Sequence, residues 1–226
     1  YINECISDVA YLSLSRPAGT LAKSGQGDDA KSMLSLIAEN IADRNSGFKN
    51  LVITDSSGNI VYEYEDIQGM KESFFGFEEL EGYSEGSTKI SKIYMNNEDY
   101  ETSVFYVAKS IDADGLNNID GFAIEIIDLS KISEILSKTS YGEGKGYLSV
   151  TDGTGCVLNY EGNAVQKIDD IADSGIRDVM KSTVKPTSAE NNIDYNVGGK
   201  LGCYNYFTGA SSLNWKWVSV YPANIA

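Results

Sequence analysis

The sequence contains one short pattern twice, and this repeat limits the possible folds more than any other feature. LVITDSSGNIVYEY, residues 51–64, consists of two β-rich runs around a turn, and LSVTDGTGCVLNY, residues 148–160, has the same order. The turn residues Asp55 and Asp152 are in register at an offset of 97 residues, as are the threonines before them. Such runs around a turn that contains glycine are typical of a β-hairpin. We therefore expect two copies of one module, each beginning with a hairpin.

The segments after the two hairpins also follow a common order. The first hairpin is followed by a mixed, partly helical segment at 66–86 and by three strand-like runs, the last of which is GFAIEIIDL. The second is followed by the helical pattern IDDIADSGIRDVMKST and by three strand-like runs, the last of which is WKWVSVYP. Each half is therefore predicted to contain two strands, a helical insert and three strands, with the amphipathic helix SKISEILSK between the halves.

The first 45 residues have the periodicity of a helix. Apolar side chains recur at the 3.6-residue spacing in two series: Ile2, Cys5, Ile6, Val9 and Leu12, then Leu34, Ile37, Ala38 and Ile41. Arg16-Pro17 and the glycines at 25–27 are expected to interrupt this long N-terminal helix. The rhythm is already present at Tyr1, and no methionine precedes it. We therefore expect the sequence to be a piece of a longer protein.

The charge balance argues against several classes of partner and chemistry. The 226 residues include 33 acidic and 18 basic side chains, a net charge of −15, and no histidine. A surface with this much negative charge repels phosphate backbones and anionic lipids. We therefore expect neither nucleic-acid binding nor direct binding to a membrane surface. The sequence lacks an apolar run of the about 20 residues that a membrane span needs. Without histidine, the commonest general base and metal ligand is missing, and no cofactor is predicted.

The order of hairpin, helical crossing and three-stranded meander, present twice behind a long N-terminal helix, resembles the double Cache (dCache) family. Its markers cover nearly the whole chain: LVITDSSGNIVY, MKESFFGFEELEGYSEGSTKISKIY, GFAIEIIDLSKISEIL, GYLSVTDGTGCVLNY and GGKLGCYNYFTGASSLNWKWVSVYP. The resemblance implies an α+β fold of two tandem PAS-like modules, each a five-stranded antiparallel sheet with helices. It divides the chain into a helical stalk at 1–45, a membrane-distal, ligand-binding module at 46–140 and a membrane-proximal module at 141–226.

Members of this family are extracytoplasmic sensor domains of bacterial chemoreceptors, histidine kinases and diguanylate cyclases. The resemblance therefore implies signal transduction: a small molecule, a carboxylate or another small metabolite, binds the distal module, and helices carry the signal to the cytoplasm. It also implies flanking transmembrane helices that anchor the parent protein, an extracellular or periplasmic location, and a dimeric full-length receptor. The alternative is an interaction module that senses a solute-binding protein without a ligand of its own. A distal pocket filled by Phe74, Phe75 and Phe105 would favour that alternative.

The resemblance also implies candidate ligand-binding residues. In amino-acid-sensing members, the pattern R-x-W-Y clamps the ligand carboxylate, and a later tyrosine and aspartate hold the other end. The arginine position falls on Lys71, and the next two marked positions fall on Ser73 and Phe74. The distal tyrosine falls on Tyr94, and a polar residue two positions further falls on Asn96.

Two of the marked positions depart from the family pattern. Lys71 keeps a positive charge but lacks the bidentate fork of arginine. The amine-binding aspartate falls on Ile126, which removes the countercharge for an α-ammonium group. We therefore predict a ligand with an anionic or neutral end rather than an ordinary amino acid. The alternative is that Lys71 lies on the surface and Tyr94 belongs to the core.

Motifs typical of enzymes and metal sites are present but incomplete. Residues 82–86 have the G-x-S-x-G spacing of a hydrolase nucleophile at Ser84, but the chain has no histidine to accept the serine proton. The segment 112–115 begins like a calcium loop but lacks the closing glutamate. The glycine-rich segment 142–146 follows a helix and precedes a strand, the reverse of a phosphate-binding loop. The acidic pairs at 78–79 and 169–170 are expected on solvated helix faces. We predict no catalytic site and no metal site.

The cysteines are predicted to be free thiols. With three of them and no CxxC, the sequence does not indicate a disulfide framework. Cys156 and Cys203 both belong to the second module, where a PAS-like order places two strands between theirs. Their strands would then lie about 14 Å apart, well beyond the ~7 Å that a disulfide can bridge.

Overall fold

The computed structural model of the chain describes residues 1–65, 88–94, 103–116, 118–141, 145–153, 155–187, 192–207 and 215–223. The chain divides into two compact units, each with its own antiparallel sheet. The first unit comprises Tyr1–Ser91, Asn96–Leu129 and Ala210–Ser212, and the second comprises Lys92–Met95, Ser130–Gly209 and Leu213–Ala226. The predicted α+β class is confirmed, whereas the boundaries at 45/46 and 140/141 stay predictions. Within the described residues, no helix is long and apolar enough to cross a membrane.

The predicted N-terminal helix is present and is interrupted at both expected places. It consists of α1 (Ile2–Ser13), α2 (Arg16–Ser24) and α3 (Asp28–Arg44). The Ser15 side chain accepts a hydrogen bond from the Ala18 amide, and Pro17 fits the first turn of α2 because no helical partner exists there for its missing N–H. Gly25 ends α2 in the left-handed conformation, at φ 64°, which costs glycine little.

The first unit contains a five-stranded sheet, as predicted. Its strands are β1 (Phe48–Asp55), β2 (Ile60–Glu63), β3 (Thr88–Ile90), β4 (Val104–Ile111) and β5 (Gly121–Asp128). They lie in the order β2-β1-β5-β4-β3. The three helices pack on one face of this sheet, where Leu12, Leu34 and Ile41 form a core cluster with Leu51 and Ile53.

The second unit begins with α4 (Ser130–Ser137) and contains the helical crossing formed by a 3-10 turn (Ile168–Asp170) and α5 (Ser174–Lys181). Its strands are β6 (Ser140–Tyr141), β7 (Gly146–Thr151), β8 (Cys156–Tyr160), β9 (Asn163–Lys167), β10 (Ile193–Val197), β11 (Lys200–Tyr206) and β12 (Lys216–Pro222). The order is β10-β11-β12-β7-β8-β9, and β6 pairs with β7.

The two sheets share one topology. In the second sheet the order β8-β7-β12-β11-β10 repeats the order β2-β1-β5-β4-β3 of the first. The second sheet has two strands beyond the expected five. One is the two-residue β6, and the other is β9, which follows β8 through Glu161 and Gly162, both at positive φ. This tight reversal pairs the polar segment Asn163–Lys167 with β8, although that segment lacks the apolar alternation that predicts a strand.

The predicted strand separation of the cysteines is confirmed. Cys156 lies on β8 and Cys203 on β11, with β7 and β12 between them. Both thiols are free, as is the buried Cys5 of α1.

Candidate ligand-binding site

The first sheet has a second buried face, turned away from α1–α3. Leu51, Ile53 and Ala123 belong to the core cluster on the helix side. Because successive side chains of a strand alternate between faces, Val52 and Ile124 point to the other side. Directly opposed residues of neighbouring strands share a face, so the Asn50–Ile126 and Tyr106–Ile126 pairs extend this surface across three strands.

This surface, here called the distal face, is almost completely shielded from solvent. At most 2% of each of its central residues is exposed: Asn50, Val52, Tyr106, Ala108, Ile124 and Ile126. None of the six belongs to the cluster that the sheet forms with the N-terminal helices. A concave, mostly apolar surface with a few polar groups is the usual form of a small-molecule site. The distal face offers such a wall, made of aliphatic side chains with one amide and one phenol.

Polar side chains on the distal face are held in place by contacts with neighbouring segments of the first unit. The Asn50 side chain donates to the Glu65 carbonyl (2.7 Å) and accepts from the Tyr64 and Glu65 amides (3.1 and 3.0 Å), which fixes the chain after β2. By alternation along β5, Asp128 lies on the same side as Ile126, and its carboxylate is 3.7 Å from the Lys49 ammonium. Sequence reasoning missed both residues, although period-two alternation from Ile126 would have found Asp128.

The structure places only two of the six candidate residues. Ile126 lies on the distal face in β5, 1% exposed. Tyr94 follows β3 and is half-buried, with the Lys92 ammonium 5.0 Å from the centre of its ring. Residues 92–95 group with the second unit, so Tyr94 and Ile126 belong to different units. The other four candidates, Lys71, Ser73, Phe74 and Asn96, lie outside the described residues, and their role in binding stays a prediction.

Behind the distal face, β5 carries a fully buried carboxyl group, Glu125. The Asn45 side-chain amide donates to Oε1 of Glu125 at 3.1 Å, while Oε2 has no hydrogen-bond partner within the described part of the chain. Nearby, the Arg44 guanidinium binds Asp8 of α1 at 2.5 Å. Burial, with the negative charge of Asp8 as a second cause, raises the pKa of Glu125 to about 8. A glutamate within the apolar run GFAIEIID was the sequence signal for this group, and sequence reasoning did not use it.

The loop that begins like a calcium site is a hairpin turn that already contains a cation. Asp112, Asp114 and Asp120 bring their carboxylates close together, but Lys23 of α2 forms ion pairs with Asp114 and Asp120. The Asp112 carboxylate accepts the Gly115 amide, three residues further along the loop, at 2.9 Å.

The other motifs are only partly visible. The G-x-S-x-G segment at 82–86 and the acidic pair at 78–79 lie outside the described residues, as does most of the glycine-rich segment at 142–146. The pair at 169–170 belongs to the 3-10 turn, where Asp169 forms an ion pair with Lys181.

No protein-family model matches the sequence, and no curated protein matches it. Solved structures resemble it over nearly the whole chain. The ligand-binding domain of the Pseudomonas fluorescens chemoreceptor CtaA in complex with L-serine has a TM-score of 0.61 at 15% identity, and the match covers 99% of this chain and 89% of that one. A domain of a sensory box/GGDEF family protein from Vibrio parahaemolyticus has a TM-score of 0.64 at 13% identity, with 98% and 88% covered.

A third similar structure is the ligand-binding domain of the Pseudomonas aeruginosa amino acid chemoreceptor PctC in complex with GABA. Its TM-score is 0.57 at 12% identity, with 97% of this chain and 89% of that chain covered. At such low identity the likeness concerns the fold, and it agrees with the repeated strand order of the two sheets. The chain therefore shares the fold of these domains, the two-module fold that the resemblance to the double Cache family implied.

Proposed function

We propose that the chain is the extracytoplasmic sensor domain of a bacterial transmembrane receptor and that it binds a small molecule over the distal face of the first unit, within residues 46–140. The observation that carries this proposal is the distal face itself. It is a buried, largely apolar sheet surface on the side away from the helices, in a fold shared with ligand-binding domains. Two of the similar structures, those of CtaA and PctC, contain L-serine and GABA, which supports a small metabolite as ligand.

The charges of the distal face favour a ligand without a free α-amine. Ile126 offers no countercharge for an ammonium group. Two described acids lie on that side: Asp128 is engaged by Lys49, and Glu63 is on the edge strand β2, opposite Val52. A cation placed there without a carboxylate would lose its hydration without compensation. Together with the predicted cation at Lys71, this favours a carboxylate or another hydrogen-bond acceptor.

Calorimetric titration of the purified domain with matched pairs of ligands tests this proposal. We expect a carboxylate such as butyrate or succinate to bind more tightly than the α-amino acid of the same length. Ile126→Asp should reverse this preference, whereas the control Ile126→Val should retain it. Lys71→Ala should weaken carboxylate binding by about tenfold or more, the range for a hydrogen bond to a charged group. Tight binding of an α-amino acid by the wild type that Lys71→Ala leaves unchanged would contradict the proposed site.

Signal transmission in this proposal is a shift between two arrangements of the receptor. The ligand can shift the equilibrium only as far as its affinities for the two arrangements differ. The parent protein would be anchored by flanking helices and would act as a dimer. In this proposal the domain acts as a sensor and not as an enzyme.

One observation favours a second candidate function, an interaction module that senses a solute-binding protein. At most 2% of each central residue of the distal face is exposed within the chain itself, as in a face filled by the chain's own side chains. In that case a thermal-shift screen of amino acids, carboxylates, purines and sugars should give no stabilisation. A ligand at 100 times its dissociation constant adds about 2.7 kcal/mol to stability, so binding would be readily detected.

A further inference from the structure

The second unit contains a buried lysine that pairs with no carboxylate of the described residues. Lys216 is the first residue of β12 and is fully buried. Among the described residues, no acidic side chain pairs with it, and burial lowers its pKa to about 8. A buried ammonium without a partner is costly, so the groups that surround it must replace its hydration.

Two carbonyl oxygens at the end of α5 provide part of this replacement. The Lys216 ammonium donates to the Val179 carbonyl at 2.7 Å and to the Ser182 carbonyl at 2.6 Å. Val179 lies in the last turn of α5, and Ser182 is its C-cap. Carbonyls at a helix C-terminus lack helical partners and carry the negative end of the helix dipole, so they favour a cation.

Two tyrosine rings of β11 provide the rest. The ammonium nitrogen lies 4.8 Å from the ring centre of Tyr204 and 5.7 Å from that of Tyr206, within the range of cation–π attraction. The two rings are nearly perpendicular, at 76°, so they form two walls of a corner. Their hydroxyls hold the same carbonyl segment: Tyr206 donates to the Ser182 carbonyl at 2.6 Å, and Tyr204 and Ser182 share a hydroxyl–hydroxyl bond of 2.8 Å.

A second lysine, the exposed Lys185, also lies near these rings, 5.3 Å from the centre of Tyr206. It repels the Lys216 ammonium rather than neutralising it. Carbonyl oxygens and aromatic faces without a carboxylate form the kind of site that recognises an organic ammonium ligand.

We propose that the second unit contains a primary-ammonium binding site whose ligand is built in: the side chain of Lys216 occupies the corner formed by Tyr204, Tyr206 and the carbonyl end of α5. The bound side chain connects β12 to α5, so the corner is already occupied and takes no ligand from outside. The inference does not depend on the function proposed for the first unit, because each of these residues belongs to the second unit.

Chemical rescue tests this site. Lys216→Ala removes Cγ, Cδ, Cε and Nζ, and n-propylammonium replaces the same atoms. We expect the variant to melt at a lower temperature than the wild type, and n-propylammonium at ten times its dissociation constant to raise the melting temperature of the variant by about 3–6 °C. The neutral isostere 1-propanol should not do so, and n-propylammonium should not stabilise the wild type, whose site is occupied.

Lys200→Ala is the matched control. The Lys200 ammonium also lies over a tyrosine ring, 4.9 Å from the centre of Tyr160, but it forms an ion pair with Glu161 and is partly exposed. We expect no rescue of that variant by n-propylammonium. A folded Lys216→Ala protein that n-propylammonium does not stabilise, or one that 1-propanol stabilises equally, would overturn the inference.

A second measurement uses the wild type, in case Lys216→Ala does not fold. Native protein is treated with an amine-acetylating reagent, and the acetylated positions are mapped by mass spectrometry before and after unfolding in urea. We expect Lys216 to be protected at least tenfold relative to Lys185 in the native state and to react like it after unfolding. Native acetylation of Lys216 at the rate of Lys185 would show that the corner does not hold the ammonium.

Discussion

The two turn aspartates occupy equivalent positions in the two sheets and form similar local bonds. Each accepts backbone amides of its own turn on Oδ1, at 2.9 Å for Asp55 and at 2.9 and 3.0 Å for Asp152. Their second oxygens differ. Oδ2 of Asp55 binds the neighbouring Asn59 side chain, whereas Oδ2 of Asp152 accepts the amide of Ile93, 59 residues away. The same turn motif therefore makes a local contact in the first sheet and a contact with a distant part of the sequence in the second.

A second difference concerns the central strands, β5 and β12. Each contains a fully buried ionisable side chain, Glu125 in the first sheet and Lys216 in the second. Glu125 faces the N-terminal helices with one amide partner, and Lys216 faces α5 with two carbonyls and two rings. One topology therefore accommodates buried groups of opposite sign, because what decides their state is the set of groups packed against each strand.

The largest expected effect separates the two aspartates. Asp152→Ala leaves three backbone amides without their charged acceptor and should lower the free energy of unfolding by about 3–4 kcal/mol. Asp55→Ala should cost about 1 kcal/mol, since water can replace a half-exposed carboxylate. Urea unfolding followed by tryptophan fluorescence and circular dichroism measures both. Asp152→Asn, which keeps one acceptor oxygen, should fall between them, and equal losses for the two alanine variants would remove the distinction.

The next effect concerns the pH dependence caused by Glu125. Its pKa is raised from 4.5 to about 8, so the folded protein retains a proton that the unfolded chain releases. Stability from this group is therefore present at low pH and is lost as the pH rises to 8. Between about pH 5 and pH 8, the wild type should lose about 3 kcal/mol relative to Glu125→Gln in urea unfolding. The control Glu134→Gln, on the surface of α4, should not show this trend, and a wild type that parallels Glu125→Gln would mean that Glu125 is ionised.

Lys216 should cause the opposite pH dependence of stability, and at higher pH. Its pKa is lowered from 10.5 to about 8, so the unfolded chain binds the proton more tightly and stability rises with pH through this range. Between about pH 7.5 and pH 9.5, the wild type should gain at most about 2 kcal/mol relative to Lys216→Met. The carbonyl oxygens and tyrosine rings favour the charged form and make the gain smaller. A loss of stability relative to Lys216→Met over this range would contradict the assignment.

The smallest effect is a difference in thiol reactivity. Cys203 is half-exposed, whereas Cys5 and Cys156 are buried. Burial, and then the charge of Asp152, raises the pKa of Cys156 to about 11, and burial raises that of Cys5 further, so both are poor nucleophiles. In native protein, a thiol reagent should label Cys203 first, and in urea without reductant all three should react. A bridge between Cys156 and Cys203 would contradict the strand order of the second sheet.

Much of the architecture could be predicted because its signals are local. The hairpin pattern that recurs at an offset of 97 residues indicated two equivalent hairpins. The structure shows both, with the same strand order around them. The interruption of the N-terminal helix at Pro17 and Gly25 followed from backbone chemistry alone. The separation of Cys156 from Cys203 followed from strand order. The strand β9 could not be predicted, since its polar sequence becomes a strand only by pairing with β8.

The ligand residues were predicted from a family resemblance, and of these the described structure places Ile126 on a buried face and Tyr94 in the second unit. Alternation along β5 showed that Glu125 and Ile126 point to opposite faces, but not which of them would meet the helices.

By itself, the sequence determined the two modules, their turns and the alternation of each strand, because these depend on neighbours within a few residues. Only the tertiary structure decided that Glu125 meets Asn45, 80 positions away, and that Lys216 meets Val179, 37 positions away. The state of a buried charge depends on its desolvation and on such distant partners. Those are set when helices and strands pack together, and a periodic pattern along the chain does not contain them.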